Sequence, residues 1–118
     1  MARTFTLDEA RAALPELLDL ADELVAVRAE LTESRIAAGP GSMAELKGHE
    51  ARLADLLGDI EALGVEMKGW APLLVDFPVT HEDRVVLVCW LEGDRELAWY
   101  HEVEHGFPGR RPLTHLGL

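Results

Sequence analysis

The chain has 118 residues, 48% hydrophobic and 28% charged, and its 11 basic and 22 acidic side chains leave a net charge of −11. That length builds one modest core, so a single domain over residues 1–118 is expected. Without clustered Lys and Arg, the acidic balance argues against a reader of nucleic-acid backbones and against binding to an anionic membrane surface.

Cys89 is the only cysteine and has no partner for an internal disulfide. No basic-then-apolar leader is visible, because Asp8, Glu9 and Arg11 interrupt the first turns. No uncharged run approaches the length of a membrane span. A soluble, cytoplasmic protein is expected.

In chain order, Thr6-Leu7-Asp8-Glu9 is a capping box and starts a helix at Leu7. Pro15 removes one helical hydrogen bond about two turns later, which predicts a kink, or a short helix followed by a longer one. Leu17, Leu20, Leu24, Val27 and Leu31 form one apolar stripe. The helix is expected to reach about Ala38, where Gly39-Pro40-Gly41 stops it. Ser42-Met43-Ala44-Glu45 reads as a second capping box, followed by Leu46, Leu53, Leu56, Leu57, Ile60 and Leu63 at helical spacing. Gly64 sits where a C-terminal cap belongs. Gly48 and Gly58 cost helix stability, and either is a candidate for a close helix contact. The short break between striped helices predicts an antiparallel helical hairpin over residues 1–64.

Residues 65–118 change pattern, to a β-sheet and a C-terminal loop. Residues 73–77 read as a short strand ended by Pro78, residues 84–91 as a strong strand, and residues 96–103 as its return after the turn Glu92-Gly93-Asp94. The fold class is α+β: a long antiparallel helical hairpin packed on a small antiparallel sheet, a β-hairpin plus one short strand. The strand over 84–91 is apolar on both faces, with Val85, Leu87 and Cys89 on one and Val86, Val88 and Trp90 on the other. Both faces need cover. The helices cover one, and a second subunit is expected on the other, giving a homodimer.

Potential ligands crowd together only at Tyr100-His101-Glu102-Val103-Glu104-His105. If a strand ends near Val103, Glu104 and His105 are free to swing toward His101, and Asp76 ends the neighbouring strand. Imidazole and carboxylate ligands suit a divalent transition metal such as Zn²⁺ or Fe²⁺. Equally, His101 reads as a half-buried core histidine bonded to a carboxylate. Arg110 reads as a clamp for a small anionic ligand or as the partner of Asp76 or Glu104 in a salt bridge. Cys89, inside a strand, reads as a small buried hydrophobe.

The blocks Phe5-Thr6-Leu7-Asp8-Glu9-Ala10, Leu14-Pro15-Glu16-Leu17, Gly64-Val65-Glu66-Met67-Lys68, Leu74-Val75-Asp76-Phe77-Pro78, Cys89-Trp90, Trp99-Tyr100-His101 and 106–112 follow one another in a recognisable order. In this the chain resembles a bacterial family of uncharacterised proteins, domain-of-unknown-function family 2203. The resemblance implies no reaction. Its pattern includes Asp76, His101, an acidic residue at Glu104, and Arg110, while His105 lies outside it.

Two functional readings follow. In the first, this is a small metal-binding protein or metalloenzyme. His101, Glu104 and His105 are its ligands, Asp76 is a ligand or general base, and Arg110 orients an anionic substrate. In the second it is a non-catalytic protein-protein interaction module whose polar cluster is a structural hydrogen-bond network. An acid-base enzyme using His101 with Asp76 and no metal is a third arrangement of the same residues.

Overall fold

The computed structural model describes residues 3–37, 39 and 42–118. Helix α1 spans Leu7–Ile36 and α2 spans Met43–Ala62. The first capping box forms as the sequence predicts. The Glu9 amide donates to Thr6 Oγ1 at 3.1 Å, and the Thr6 amide donates to Glu9 Oε1 at 2.8 Å. The bond from the Thr6 amide, with the Thr6 hydroxyl beside it, lowers the Glu9 carboxyl from its ordinary value.

Helix α1 is continuous across Pro15, so the two-helix alternative is corrected. Pro15 and Arg11, whose carbonyl loses its helical donor, both face solvent, where water can serve that carbonyl. The second capping box does not form. Ser42 has φ −95° and ψ −5°, not the extended backbone of a capping residue. Its hydroxyl turns back instead, donating to the Gly39 carbonyl at 2.8 Å and accepting the Gly39 amide at 3.0 Å. Ala38, Pro40 and Gly41 of the expected stop lie outside the described residues.

Gly64 ends the hairpin in the conformation its place requires. Its φ is +98°, and its amide reaches the Glu61 carbonyl at 3.0 Å. Among the described residues nothing lies within 4 Å of a Cβ built on Gly48 or Gly58, so neither marks a close helix contact there. Across the hairpin, Arg52 meets Glu23, and Arg35 meets Glu50 at 3.9 Å.

Among the described residues the sheet has five strands, not three. They are β1 (Glu66–Trp70), β2 (Leu73–His81), β3 (Arg84–Leu91), β4 (Trp99–Glu102) and β5 (Arg111–Pro112), each antiparallel to the next in the order β1-β2-β3-β4-β5. Strand β2 runs through Pro78, where an end was expected. The Pro78 carbonyl accepts the Phe5 amide at 2.8 Å, and the Thr80 amide donates to the Phe5 carbonyl at 2.9 Å. Pro78 nitrogen therefore points away from β3, on the side where β1, paired only with residues 73–76, has already ended. No ladder bond is lost there.

Glu82 and Asp83, at φ 47° and 63°, make the two-residue turn between β2 and β3. The return strand is shorter than expected. Asp94 accepts the Leu91 amide at 3.0 Å, the Trp90 indole donates to the Asp94 carbonyl at 2.9 Å, and the chain then bends to bury Leu97 before β4 begins.

Alternation sorts the sheet. Val75, Phe77, Val79, Val86, Val88, Trp90 and Tyr100 face the helices and are buried in one core with Ala10, Leu17, Leu24, Leu56 and Ile60. Arg28 ties α1 to the sheet's end. It pairs bidentately with Glu92 at 2.7 and 2.8 Å and donates to the Trp70 carbonyl at 2.6 Å.

Candidate metal centre

The opposite face of the sheet carries the polar cluster. In register, Asp76 on β2 lies directly across from Cys89 on β3, and His101 on β4 lies across from Leu87, diagonal to Cys89. All three side chains therefore emerge on the face turned away from the helices. They are buried nonetheless, at 1%, 2% and 3% exposure for Asp76, Cys89 and His101. The chain after β4 folds back over this face. Its 3₁₀ turn, Phe107–Gly109, packs near β4, and Arg110 lies over the Trp99 ring. The turn is tight: a Cβ on Gly109 would come within 2.9 Å of His105 Cβ.

Each residue of the cluster offers one ligand atom, and the three atoms lie within 4.8 Å of one another. His101 Nδ1 is 2.8 Å from the Glu102 carbonyl, which only accepts, so Nδ1 carries the proton. His101 Nε2 is 2.9 Å from Asp76 Oδ2. In the neutral ring Nε2 is then an acceptor facing a carboxylate, which also accepts. Such a contact needs a cation between its atoms, either a proton or a metal. Asp76 Oδ1 is buried with no hydrogen-bond partner among the described residues.

The Cys89 thiol makes a long contact of 3.7 Å to the Leu87 carbonyl. Burial pushes it well above its ordinary range. The neighbouring Asp76 carboxylate adds to the rise, and Arg110 opposes it to a smaller extent.

Asp76 and His101 meet, as the sequence reading requires. Glu104 and His105 do not join them: both are exposed in the turn after β4 and lie outside the cluster. Arg110 does not pair with Asp76 or Glu104 among the described residues. Its guanidinium carbon sits 4.3 Å from the Phe107 ring centroid and 5.4 Å from that of Trp99. Cys89 is buried as expected, and it is the cluster member that sequence reasoning missed. Its alternation with Leu87 put it on the right face, but only the β2–β3 register sets it against Asp76. Of the other histidines, His49 lies 3.4 Å from Glu30 and His115 lies 3.3 Å from Arg111, both away from the cluster.

The chain belongs to the family described as "Uncharacterized conserved protein (DUF2203)", whose model matches residues 3–113. No curated protein and no solved structure matches it.

Proposed function

We propose that this protein binds a divalent transition-metal ion through Asp76, Cys89 and His101. The observation that carries the reading is the buried convergence of Asp76, Cys89 and His101, whose ligand atoms lie within 4.8 Å of one another, beside the unpartnered Asp76 Oδ1. Thiolate, imidazole and carboxylate together suit Zn²⁺ first and Fe²⁺ second. The Nδ1 bond to the Glu102 carbonyl supports the same reading, because a ligating histidine is oriented by a bond from its other nitrogen. The three ligands come from β2, β3 and β4, so a bound ion would tie these strands together. Glu104 and His105 are left out of this ligand set, and Arg110 stands beside it.

A second reading rests on the 2.9 Å contact itself, which is hydrogen-bond distance. A proton shared by Asp76 and His101 would make the cluster a structural network in an interaction module. Elemental analysis of protein purified without an affinity tag separates the two. Close to one equivalent of zinc or iron, lost in His101→Ala and in Cys89→Ser, supports the metal site. Protein that purifies metal-free, and that takes up no zinc after dialysis against it, overturns that site and leaves the network.

A cytoplasmic setting suits a single cysteine kept as a free thiol. The homodimer is carried forward as a proposal on Val85, Trp99 and Val103, which are 37%, 39% and 58% exposed. Val85 and Trp99 stand on the sheet face that the helices leave free, and Val103 follows β4 directly.

A further inference from the structure

A four-coordinate ion on Asp76, Cys89 and His101 is one donor short, and no other His, Cys, Asp or Glu joins that cluster among the described residues. Charge indicates what completes it. A divalent ion with one thiolate, one carboxylate and a neutral imidazole is electrically neutral. Lys68, on the flanking strand, is already held by Glu66 at 2.9 Å. Arg110 is a different case. Trp99 is the register partner of Cys89, and the Arg110 guanidinium lies over its ring, so the cation stands on the same face, one side chain from the thiol.

Phe107 and Trp99 lie beside the guanidinium, within cation–π distance of its carbon. No carboxylate or carbonyl of the described residues accepts from it. A guanidinium without such an acceptor keeps N–H donors that can take two oxygens of one anion. The site thus carries one surplus positive charge in a chain of net charge −11.

We propose that the fourth ligand is a small oxyanion, a carboxylate or a phosphate, held between the bound ion and the Arg110 guanidinium. This rests on the metal reading and names what that site recognises. Arg110 is then the residue that selects the ligand, and the Phe107–Gly109 turn limits its size.

Cobalt provides the test, because its spectrum reports the metal site and the added ligand separately. Metal-free protein is loaded with one equivalent of Co²⁺, and absorption from thiolate to cobalt reports the bond to Cys89. Sodium acetate, inorganic phosphate and sodium chloride are then titrated at constant ionic strength. A saturable shift of the cobalt d–d bands with acetate or phosphate, but not chloride, is expected. Arg110→Gln should weaken it at least tenfold while the thiolate absorption stays, and Arg110→Lys should fall between. Acetate alone identifies a carboxylate ligand, phosphate alone a phosphate, and a response to both shows that charge outweighs shape. An intact thiolate band with no anion response, an equal response to chloride, or an Arg110→Gln protein that responds like the wild type overturns the oxyanion proposal only. Absence of the thiolate band overturns the metal site and the fourth ligand together.

Discussion

Asp76 and His101 are nearly sealed from water, at 1% and 3% exposure, and each is the other's principal polar partner. Removing one partner strands the other in a medium that solvates it poorly. His101→Ala should therefore cost about 3–5 kcal/mol of folding stability, read as a shift in the urea midpoint. A loss under about 1 kcal/mol would mean that the pair contributes little. Cys89 predicts a pH effect. Its thiol is raised from an ordinary value of 9.0, so the folded protein keeps a proton that the unfolded chain releases. In metal-free protein this contribution is complete below about pH 9 and fades as the pH climbs toward the folded value. Stability should fall more steeply above pH 9 in the wild type than in Cys89→Ala. A bound metal must displace that proton, so zinc affinity should rise with pH. Identical alkaline profiles for the two proteins would count against the buried thiol.

Among the elements, α1 is tied to the far end of β3 by an ion pair. Arg28 and Glu92 are about a quarter exposed or less, at 20% and 25%. The hydrogen bond from Arg28 lowers the Glu92 carboxyl below its ordinary 4.5, and the Leu73 amide, donating at 2.9 Å, adds to this. The stabilisation is present above pH 4.5 and is lost as the pH falls through the lower folded value. Glu92→Gln should flatten that acid limb in a pH series of thermal melts, and an unchanged limb would place the acid sensitivity elsewhere. Within α2, Gly48 and Gly58 have open space around them. Alanine at either position should stabilise the protein by about 0.5–1 kcal/mol, since it adds helix propensity without a clash. A destabilised variant in the same denaturation assay would reveal a contact formed with another molecule.

At the scale of the whole molecule, the helical hairpin covers one face of the sheet, and the other face carries a separate buried patch of Leu87, Cys89, Asp76 and His101. The chain's own 3₁₀ turn and Arg110 lie over part of that second face, while Val85, Trp99 and Val103 remain exposed. If two copies meet there, sedimentation should show a dimer at micromolar concentration, and Val85→Asp with Val103→Asp should return it to a monomer. A wild-type monomer at every concentration would remove the homodimer proposal. No helix among the described residues is long and apolar enough to cross a membrane.

The sequence alone determined what short-range chemistry controls. The Thr6–Glu9 box spans four residues, and the apolar stripes repeat within two turns. Gly64 needs only its own positive φ, and the alternation in β3 is complete within eight residues. The meeting of Asp76 with His101 was also within reach, because both read as polar residues on strands of one sheet, although Asp76 lies inside β2 and not at the end expected for it. Tertiary structure decided whatever depends on a partner distant in the chain. Pro78 remains within a strand because Phe5, far upstream, takes the side where its missing amide would point. The weak strands β1 and β5 exist because a stronger neighbour offers them a ladder. Cys89 entered the cluster, and Glu104 and His105 stayed out, for the same reason. Cross-strand register chooses which side chains meet, and a slip of one residue would have turned Cys89 toward the helices.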